Sequence, residues 1–467
     1  MGHDVVILDC YTDEPSGYGV RPFLGSHQIH LSQALAYASI EHTYLTIDDL
    51  RFSSEVESVD RNEDTNIGVR NTTKNSHEAL QVLVEAETVL VIMGCFVDYD
   101  YFSCRPPRAS ELASYLSQCR GRVVAYYVLG TSDSPHDTHS SSSLTRTLDH
   151  VEYGNAYRHV LQPQSARSGD SLLNPDYGLL SQISGIIPPI LQSLTHPVIA
   201  EIETGSGCNR PTCLFCIEAK RLSQIQYRSP QDIVAEVRCL YEGGVRHFRL
   251  GRQPNFFHYQ RQDPTALERL LYGIRESCPE IRMLHIDNVN PSDVVTARGR
   301  EFARLVAKYC TPGNVAAMGV ESFDPNVREM TRIAGSVDTV LSAIEVINEY
   351  GGERGDNGLP LLLPGINLIH GLPGHSPETR HRNLEGLQKI LDKGLMTYRT
   401  YYRMLTGTSG VSLEDEHAPK GDTFQEAFRD VVDRYAIPMQ ARVYPAGTVM
   451  SGDWEVVRKD GRSLRPP

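Results

Sequence analysis

Three cysteines near the middle of the chain have the spacing of metal-cluster ligands. Cys208, Cys213 and Cys216 form a C-x4-C-x2-C pattern just after a predicted strand at residues 198–203. Three thiolates can bind three irons of a four-iron cluster and leave the fourth iron open. An open iron can bind a small molecule and pass it an electron. The pattern therefore predicts a redox enzyme built around a 4Fe-4S cluster.

A different kind of metal site would need ligands that the neighbouring sequence does not obviously supply. A structural zinc site uses four ligands, usually as two pairs. The next cysteine, Cys239, lies in a predicted amphipathic helix, and nothing in the pattern requires His196 or His247 as a ligand. A ferredoxin-like cluster also needs four cysteines. The alternative from another class is a non-catalytic metal-binding or electron-transfer module on an α/β scaffold.

Composition sets broad limits on the function. The chain has 467 residues and a net charge of −13, which predicts two or three domains and argues against a strong non-specific hold on nucleic acid. It has no apolar stretch as long as a membrane span and no N-terminal signal pattern. We therefore expect no membrane association and a cytoplasmic location, with most of the ten cysteines reduced.

The order of predicted elements indicates an α/β chain with an N-terminal Rossmann-like parallel-sheet domain, a (β/α)6 partial TIM barrel and a short C-terminal extension. The expected boundaries are 1–162 for a cobalamin-binding-like domain, 163–195 for a linker, 196–410 for the barrel and 411–467 for the extension. The barrel strands are predicted at 198–203, 247–250, 283–287, 315–321, 361–369 and 398–404. Catalytic groups of such barrels lie at the carboxyl ends of the strands, where the cysteine loop is placed.

Four segments in order resemble the radical SAM superfamily, in the branch that includes methylthiotransferases and cobalamin-associated members. The first is the cysteine loop, which has one residue more than the usual C-x3-C-x2-C and an aromatic residue, Phe215, before its last cysteine. The others are residues 243–253, residues 319–322 with Val327, Met330 and Arg332 downstream, and residues 365–374. Four ordered matches over about 200 residues are more specific than any one of them.

This resemblance implies a mechanism. The open iron would chelate the amino and carboxylate groups of S-adenosylmethionine (SAM), and an electron from a donor such as a ferredoxin or flavodoxin would break a carbon–sulfur bond. The resulting 5′-deoxyadenosyl radical would abstract hydrogen from a substrate, which could be RNA, a peptide or a metabolite. Methyl transfer, methylthiolation and other hydrogen abstraction all stay open as outcomes.

The resemblance also implies contacts to SAM. Glu321 would reach a ribose hydroxyl and Arg332 the SAM carboxylate, although a salt-bridged Glu and a solvated Arg have the same pattern. Phe215 could cover the adenine or shield the cluster. The other candidates at strand ends and in the matching motifs are Gln253, Asp287, Asn288, Ser322 and Gly371. Met330 and Phe323 are predicted to be core residues.

The N-terminal domain resembles that of cobalamin-binding members, but the D-x-H-x-x-G motif is absent after the strand Val5–Asp9. Asp137-Thr138-His139 begins like that motif in a polar loop. Cobalamin bound without the histidine, a second cluster at Cys10, Cys95 and Cys104, and a degenerate domain that shapes the substrate entrance are the three hypotheses.

The whole chain resembles an archaeal-type group of radical SAM proteins that usually end in a β-rich segment and a helix-hairpin-helix. The shared features are near residues 9–22 and 442–448. Neither terminal element is visible in this sequence, so we expect a truncated or divergent C-terminus.

Overall fold

The computed structural model describes residues 5–12, 23–54, 73–94, 106–128, 142–162, 174–216, 218, 224–405, 423–444, 448–450 and 456–458. The chain divides into two compact units. Unit 1 is Met1–Ile202, Asp232–Phe248 and Ser451–Trp454, and unit 2 is Glu203–Gln231, Arg249–Met450 and Glu455–Pro467. Among the described helices, none combines the length and apolar character that crossing a membrane requires.

Unit 1 contains a five-stranded parallel sheet with the order β3-β1-β4-β5-β6. Its central strands are continuous apolar runs because helices cover both faces of such a sheet, and Leu8 of β1 pairs in register with Leu45 and Val91. The strands of this sheet are β1 Val5–Asp9, β3 Thr43–Thr46, β4 Thr88–Met93, β5 Arg122–Tyr127 and β6 His150–Tyr153. Strand β2, Phe23–Leu24, belongs to another sheet, in which it pairs with Ile199 and Ala200.

The helices that precede the cysteine loop are α1 Ser26–Tyr37, α2 Ile47–Ser53, α3 Ala79–Glu85, α4 Ala109–Leu116, α5 Ser142–Thr145, α6 Ala156–Leu161 and α7 Tyr177–Ile183, followed by a 3-10 turn at Pro189–Ser193. The last two elements lie in the segment expected to link the domains. Leu180 and Ile183 of α7 are buried in one apolar cluster with Tyr157, so α7 packs as part of a core.

The predicted barrel strands are all present, each within one residue of its expected ends. From the cysteine region onwards the strands are β7 Ile199–Glu203, β8 Gly205–Ser206, β9 Gln226–Tyr227, β10 His247–Gly251, β11 Met283–Ile286, β12 Asn288–Val289, β13 Asn314–Glu321, β14 Leu362–His370, β15 Arg399–Met404, β16 Thr448–Met450 and β17 Val456–Arg458. Two four-stranded sheets have the orders β11-β10-β7-β2 and β12-β13-β14-β15. This α/β architecture of parallel strands and helices confirms the predicted fold class.

Helices alternate with these strands. They are α8 Pro230–Glu242, α9 Pro264–Ser277, α10 Pro291–Val294, α11 Ala297–Tyr309, α12 Pro325–Met330, α13 Val337–Gly351, α14 Pro377–Asp392, α15 Phe424–Val431 and α16 Ile437–Val443. Proline at the first helical position begins α8 and α14, because that position needs no N–H donor. Helix α15 continues through a π-turn, Val432–Ala436, into α16.

Candidate active site

The cysteine loop begins after β7 and β8, at the carboxyl end of the first barrel strand. The three thiols of Cys208, Cys213 and Cys216 are half-buried. The Sγ atom of Cys208 accepts the N–H of Arg210 at 3.3 Å, and the N–H of Cys216 donates to the carbonyl of Cys213 at 3.3 Å. Burial raises the pKa of Cys208 and of Cys213, and the charge of Cys208 raises the pKa of Cys213 further. The loop therefore carries three partly enclosed thiols within nine residues.

One side of the loop is fixed to the turn after α12. Leu214 donates its N–H to the carbonyl of Thr331 at 3.1 Å, and the hydroxyl of Thr212 donates to the carbonyl of Arg332 at 3.3 Å. The thiol of Cys213 lies 3.8 Å from that same carbonyl. Arg332 has a φ of 55°, a left-handed conformation that non-glycine residues rarely adopt. The carbonyl of Arg332, which accepts the hydrogen bond from Thr212, therefore belongs to a residue with a strained backbone.

The other side of the loop is fixed to Asp293 of α10. Its carboxylate accepts the side-chain amide of Asn209 at 2.9 Å and lies 3.1 Å from the guanidinium of Arg210. Asn255 donates to the same carboxylate. Asp293 is 4% exposed, so its charge is compensated by these donors. Asn209 and Arg210 lie between Cys208 and Cys213, in the gap that is one residue longer than usual. Asp293 therefore holds the part of the loop that departs from the usual spacing.

A buried arginine fixes the backbone around Glu321. The guanidinium of Arg328 donates to the carbonyls of Val320 at 2.7 Å and Ser322 at 3.0 Å. It also donates to the carbonyls of Ala334 and Gly335, each at 2.9 Å. One side chain therefore holds together the end of β13 and the turn that follows Arg332.

Glu321 ends β13 in a strained conformation with a φ of 60°. The register between β13 and β14 shifts between Gly319 and Glu321. A Cβ atom at position 319 would lie 2.6 Å from Oε1 of Glu321, so the carboxyl group folds back over the glycine. Burial raises the pKa of Glu321 to about 8, against the attraction of Arg328. The carboxyl group is mainly protonated at neutral pH and can donate a hydrogen bond.

Gln253 and Asn288 lie at the ends of neighbouring strands, as the sequence suggested. Gln253 is buried after β10, and its Nε2 has no hydrogen-bond partner among the described residues. Its Oε1 would lie 3.3 Å from a Cβ atom on Gly205, just before the cysteine loop. Asn288 donates to Asp287 at 3.2 Å, and Asp287 lies 3.8 Å from the guanidinium of Arg249. These groups therefore lie at the carboxyl ends of β10 and β11, and Gln253 is the one beside the start of the cysteine loop.

The remaining predicted residues have different surroundings. The hydroxyl of Ser322 is engaged locally, because it lies 3.2 Å from Oδ1 of Asn383 and accepts the N–H of Asp324 at 3.0 Å. Gly371 has a φ of 83° and donates its N–H to Nδ1 of His375 at 3.3 Å. Phe215 is half-buried, and the side chain of Arg332 is exposed.

One core prediction is wrong and others fall outside the described residues. Phe323 is 3% exposed as expected, but Met330 is 57% exposed, because it ends the short helix α12 and extends toward Gly374. Cys10 is buried at the end of β1. Cys95, Cys104 and the Asp137-Thr138-His139 sequence lie outside the described residues, as do parts of residues 9–22 and 442–448.

Sequence reasoning missed the residues that hold the loop in place. Asp293 is an acid in the first turn of the short helix α10, and Arg328 is a charged residue of the short helix α12. Neither pattern signals which distant backbone it will contact. Within the part of the chain described, no three His, Cys, Asp or Glu side chains converge on a single-ion site. A four-iron cluster does not need ligands that converge on one point, since each thiolate ligates a different iron.

Comparison with known proteins identifies the class. The radical SAM superfamily model matches residues 202–395. The uncharacterized protein MJ0274 of Methanocaldococcus jannaschii is 33% identical over 479 residues, which cover 95% of this chain and 82% of that protein. The chain belongs to the radical SAM superfamily. It is a radical SAM enzyme, and the cofactors of that class are a 4Fe-4S cluster and SAM.

Two more distant proteins are similar to this chain over most of its length. The ribosomal protein uS12 methylthiotransferase RimO of Streptomyces coelicolor is 24% identical over 396 residues, 79% of this chain and 72% of RimO. The radical SAM methyltransferase TsrM from Kitasatospora setae, solved with cobalamin and a [4Fe-4S] cluster bound, superposes with a TM-score of 0.57 at 14% identity. That match covers 86% of this chain and 75% of TsrM and shows a shared fold.

Proposed function

We propose that Cys208, Cys213 and Cys216 hold the 4Fe-4S cluster and that the enzyme cleaves SAM reductively to abstract hydrogen from a substrate. The observation that carries this proposal is the cysteine loop itself. Three half-buried thiols lie on one loop, which is fixed to Asp293 on one side and to Arg332 on the other. A loop held at both sides keeps its ligands in place before the cluster is inserted.

The residues present fit such a cluster. The loop offers three thiols, which matches a cluster with one iron free of protein ligands, and the N–H of Arg210 already donates to Cys208. Hydrogen bonds to cluster sulfurs and partial burial are the means by which proteins set a cluster's potential. When bound, the cluster supplies the electron that cleaves SAM. The raised pKa values of Cys208 and Cys213 mean that loading releases protons from these thiols.

The neighbouring side chains would bind and orient SAM. The protonated carboxyl group of Glu321 can both donate to and accept from a ribose hydroxyl. The exposed guanidinium of Arg332 can pair with a carboxylate, and its backbone is already fixed beside Cys213. The buried amide of Gln253 has an Nε2 donor without a partner in the described structure. Phe215 can exclude water from the same place.

We propose that unit 1 determines whether the reaction ends in methyl transfer or in methylthiolation. Parallel sheets with the order of β3-β1-β4-β5-β6 bind ligands at the carboxyl ends of their strands, beside β1. There the backbone of Thr12 is so close to Gly94 that a Cβ at position 94 would lie 2.5 Å from the Thr12 carbonyl oxygen. This part of the sheet edge is therefore closely packed. Cobalamin is the cofactor that we propose to test at this edge, by adding it in the assay below.

The alternative is a non-catalytic metal-binding or electron-transfer module. Such a module needs the cysteines but has no use for the strained carboxyl group of Glu321 at the neighbouring strand end. RNA, a peptide or a metabolite could be the substrate of the enzyme, and a reduced ferredoxin or flavodoxin is its proposed electron donor.

The test is anaerobic reconstitution with iron and sulfide, followed by reduction in the presence of SAM, with dithionite and a reduced flavodoxin as parallel donors and cobalamin added in one arm. We expect 5′-deoxyadenosine from the wild type and from Cys239→Ala, because Cys239 is buried in α8, and none from Cys208→Ala, Cys213→Ala or Cys216→Ala. Cobalamin retained by the protein would favour methyl transfer. Deoxyadenosine from Cys213→Ala would contradict the ligand assignment, and zinc without iron would favour the metal module.

A further inference from the structure

One face of β15 carries an aromatic ring between two arginines, which we call the Arg-Tyr-Arg face: Arg399, Tyr401 and Arg403. Alternation along a strand places these three side chains on the same side. The guanidinium carbons of Arg399 and Arg403 lie 4.6 Å and 4.9 Å from the ring centroid of Tyr401. Both cations therefore stack on one tyrosine in a chain whose net charge is −13.

The Arg-Tyr-Arg face continues the surface that carries Glu321. Tyr401 pairs in register with Asn367 of β14, which pairs with Gly319 of β13. The carboxyl group of Glu321 covers Gly319. Adjacent strands are about 4.8 Å apart, so Tyr401 lies about 10 Å from the Glu321 carboxyl group across two strands. The face thus adjoins the place where Glu321 would hold SAM.

The opposite side of the same strands is filled by protein. Leu368 and Tyr402 are buried, the ring of Tyr402 stacks on Phe424 of α15 with centroids 5.6 Å apart, and its hydroxyl lies 3.0 Å from Nδ1 of His370. Asn367, Arg399 and Tyr401 are only half-buried. The Arg-Tyr-Arg face is therefore the side of these strands that a ligand can reach.

Two buried atoms on this face have no hydrogen-bond partner within the described ranges: Nε of Arg399, a donor, and Oδ1 of Asn367, an acceptor. The guanidinium of Arg399 donates to the hydroxyl of Tyr401 at 3.3 Å, and no described carboxylate forms an ion pair with it. Buried donors and charges without partners cost free energy, and native proteins satisfy nearly all of them. A ligand that brings an anionic group to Arg399 and a donor to Asn367 would remove that cost.

We propose that the Arg-Tyr-Arg face binds an oxyanion of the substrate, a phosphate or a carboxylate, through Arg399. The planar guanidinium binds such groups by two parallel hydrogen bonds, and Tyr401 holds it in the required plane. Asn367 accepts an N–H or O–H of the same substrate. This inference rests on the proposed function and names the substrate class for that site.

The test uses the full chain, loaded with its cluster and with SAM, titrated by calorimetry with inorganic phosphate and with acetate at constant ionic strength. One charge-assisted contact corresponds to about a tenfold change in affinity. We expect Arg399→Gln to weaken binding of the preferred probe by about that factor, with Arg399→Lys between it and the wild type. Arg300→Gln is the control, since Arg300 is exposed on α11 and pairs with Glu349, and it should bind as the wild type does. Tighter phosphate binding would indicate a phosphate ester, and tighter acetate binding a carboxylic acid.

Equal affinities in the wild type and Arg399→Gln would overturn the proposal, as would a wild type that binds neither probe. The dissociation constant of SAM is measured on the same proteins. A matching loss of SAM affinity in Arg399→Gln would assign Arg399 to the SAM carboxylate and overturn the substrate assignment. Deoxyadenosine formation by the wild type is a separate readout, so its failure would contradict the proposed function without altering the result for anion binding.

Discussion

The carboxylate of Asp293 lies 3.1 Å from the guanidinium of Arg210, two residues beyond Cys208. Asp293 comes from α10, more than 80 residues later in the chain, and is 4% exposed while Arg210 is partly open to solvent. A buried carboxylate in this position acts on the cysteine loop by orienting Asn209 and Arg210. We regard Asp293 as a positioning residue for the cluster.

Asp293→Ala should lower the amount of iron held after reconstitution. The change leaves the side-chain donors of Asn209, Arg210 and Asn255 without their shared acceptor. Of these three residues only Asn255 is buried, and an unsatisfied buried donor costs about 1 to 3 kcal/mol. Iron per chain and the electron paramagnetic resonance spectrum of the reduced cluster measure the effect. Asp338→Ala, at an exposed site in the first turn of α13, is the matched control. Full iron loading with an unchanged spectrum in Asp293→Ala would show that the loop does not depend on this anchor.

Arg328→Met should destabilise unit 2 strongly. It removes the donors to four backbone carbonyls around Glu321 and Arg332, and the loss of a buried charged donor costs about 3 kcal/mol or more. Thermal unfolding of the iron-free protein measures this change. Arg304→Met, at an exposed residue paired with Glu301, should change stability by only about 0.5 kcal/mol. Similar melting temperatures for the two variants would contradict the structural role of Arg328.

Gly319→Ala should weaken SAM binding more than it weakens the fold. The new Cβ would lie 2.6 Å from Oε1 of Glu321, and the flexible carboxyl group can move away at little cost in stability. SAM would then lose its contact with a correctly placed carboxyl group. Gly185→Ala, where a Cβ meets nothing within 4 Å, is the control. Equilibrium binding of SAM and the melting temperature are measured together, and unchanged SAM affinity would remove Glu321 from the SAM site.

The proton that Glu321 keeps in the folded state should stabilise the iron-free protein, and this contribution should be lost as pH rises from about 5 to 8. Burial raises the folded-state pKa of Glu321 to about 8. The native state therefore keeps a proton that the unfolded chain releases near its ordinary pKa, so stability is lost as pH rises through the folded value. The buried carboxyl group of Asp9, with a pKa raised to about 6, acts in the same direction at lower pH.

Glu321→Gln isolates this contribution, because it keeps the shape of the side chain and removes the titration. The decrease in melting temperature between pH 6 and 8 should be shallower in this variant. Glu301→Gln serves as the control, since Glu301 is exposed and its pKa is lowered by Arg304. Identical pH profiles for the wild type and Glu321→Gln would mean that the carboxyl group titrates normally.

The sequence was sufficient to predict the barrel strands because the apolar runs that mark them are local features of the sequence. β13 and β14, for example, lie within one residue of their predicted ends. Cys208, Cys213 and Cys216 could be proposed as cluster ligands for the same reason, since three cysteines on one loop leave a visible spacing. Helix α7 was missed because it lies in a Pro-, Ser- and Gly-rich segment, where its contacts with Tyr157 outweigh composition.

Long-range contacts could not be predicted in the same way. Arg328 donates to carbonyls on both sides of it in the chain, next to Glu321 and two residues beyond the left-handed Arg332. The ring of Tyr401 between Arg399 and Arg403 is visible as a pattern only once the strand and its register with Asn367 are known. Such residues act through tertiary geometry that one sequence does not reveal.

The most direct test of the central claim is the electron paramagnetic resonance spectrum of the reduced, reconstituted protein before and after SAM is added, with SAM labelled by ¹⁷O in its carboxylate. An open iron in a cluster held by Cys208, Cys213 and Cys216 should give a spectrum that changes on addition of SAM and shows coupling to the labelled oxygen. A spectrum that SAM leaves unchanged, in a protein with a full complement of iron, would contradict the account.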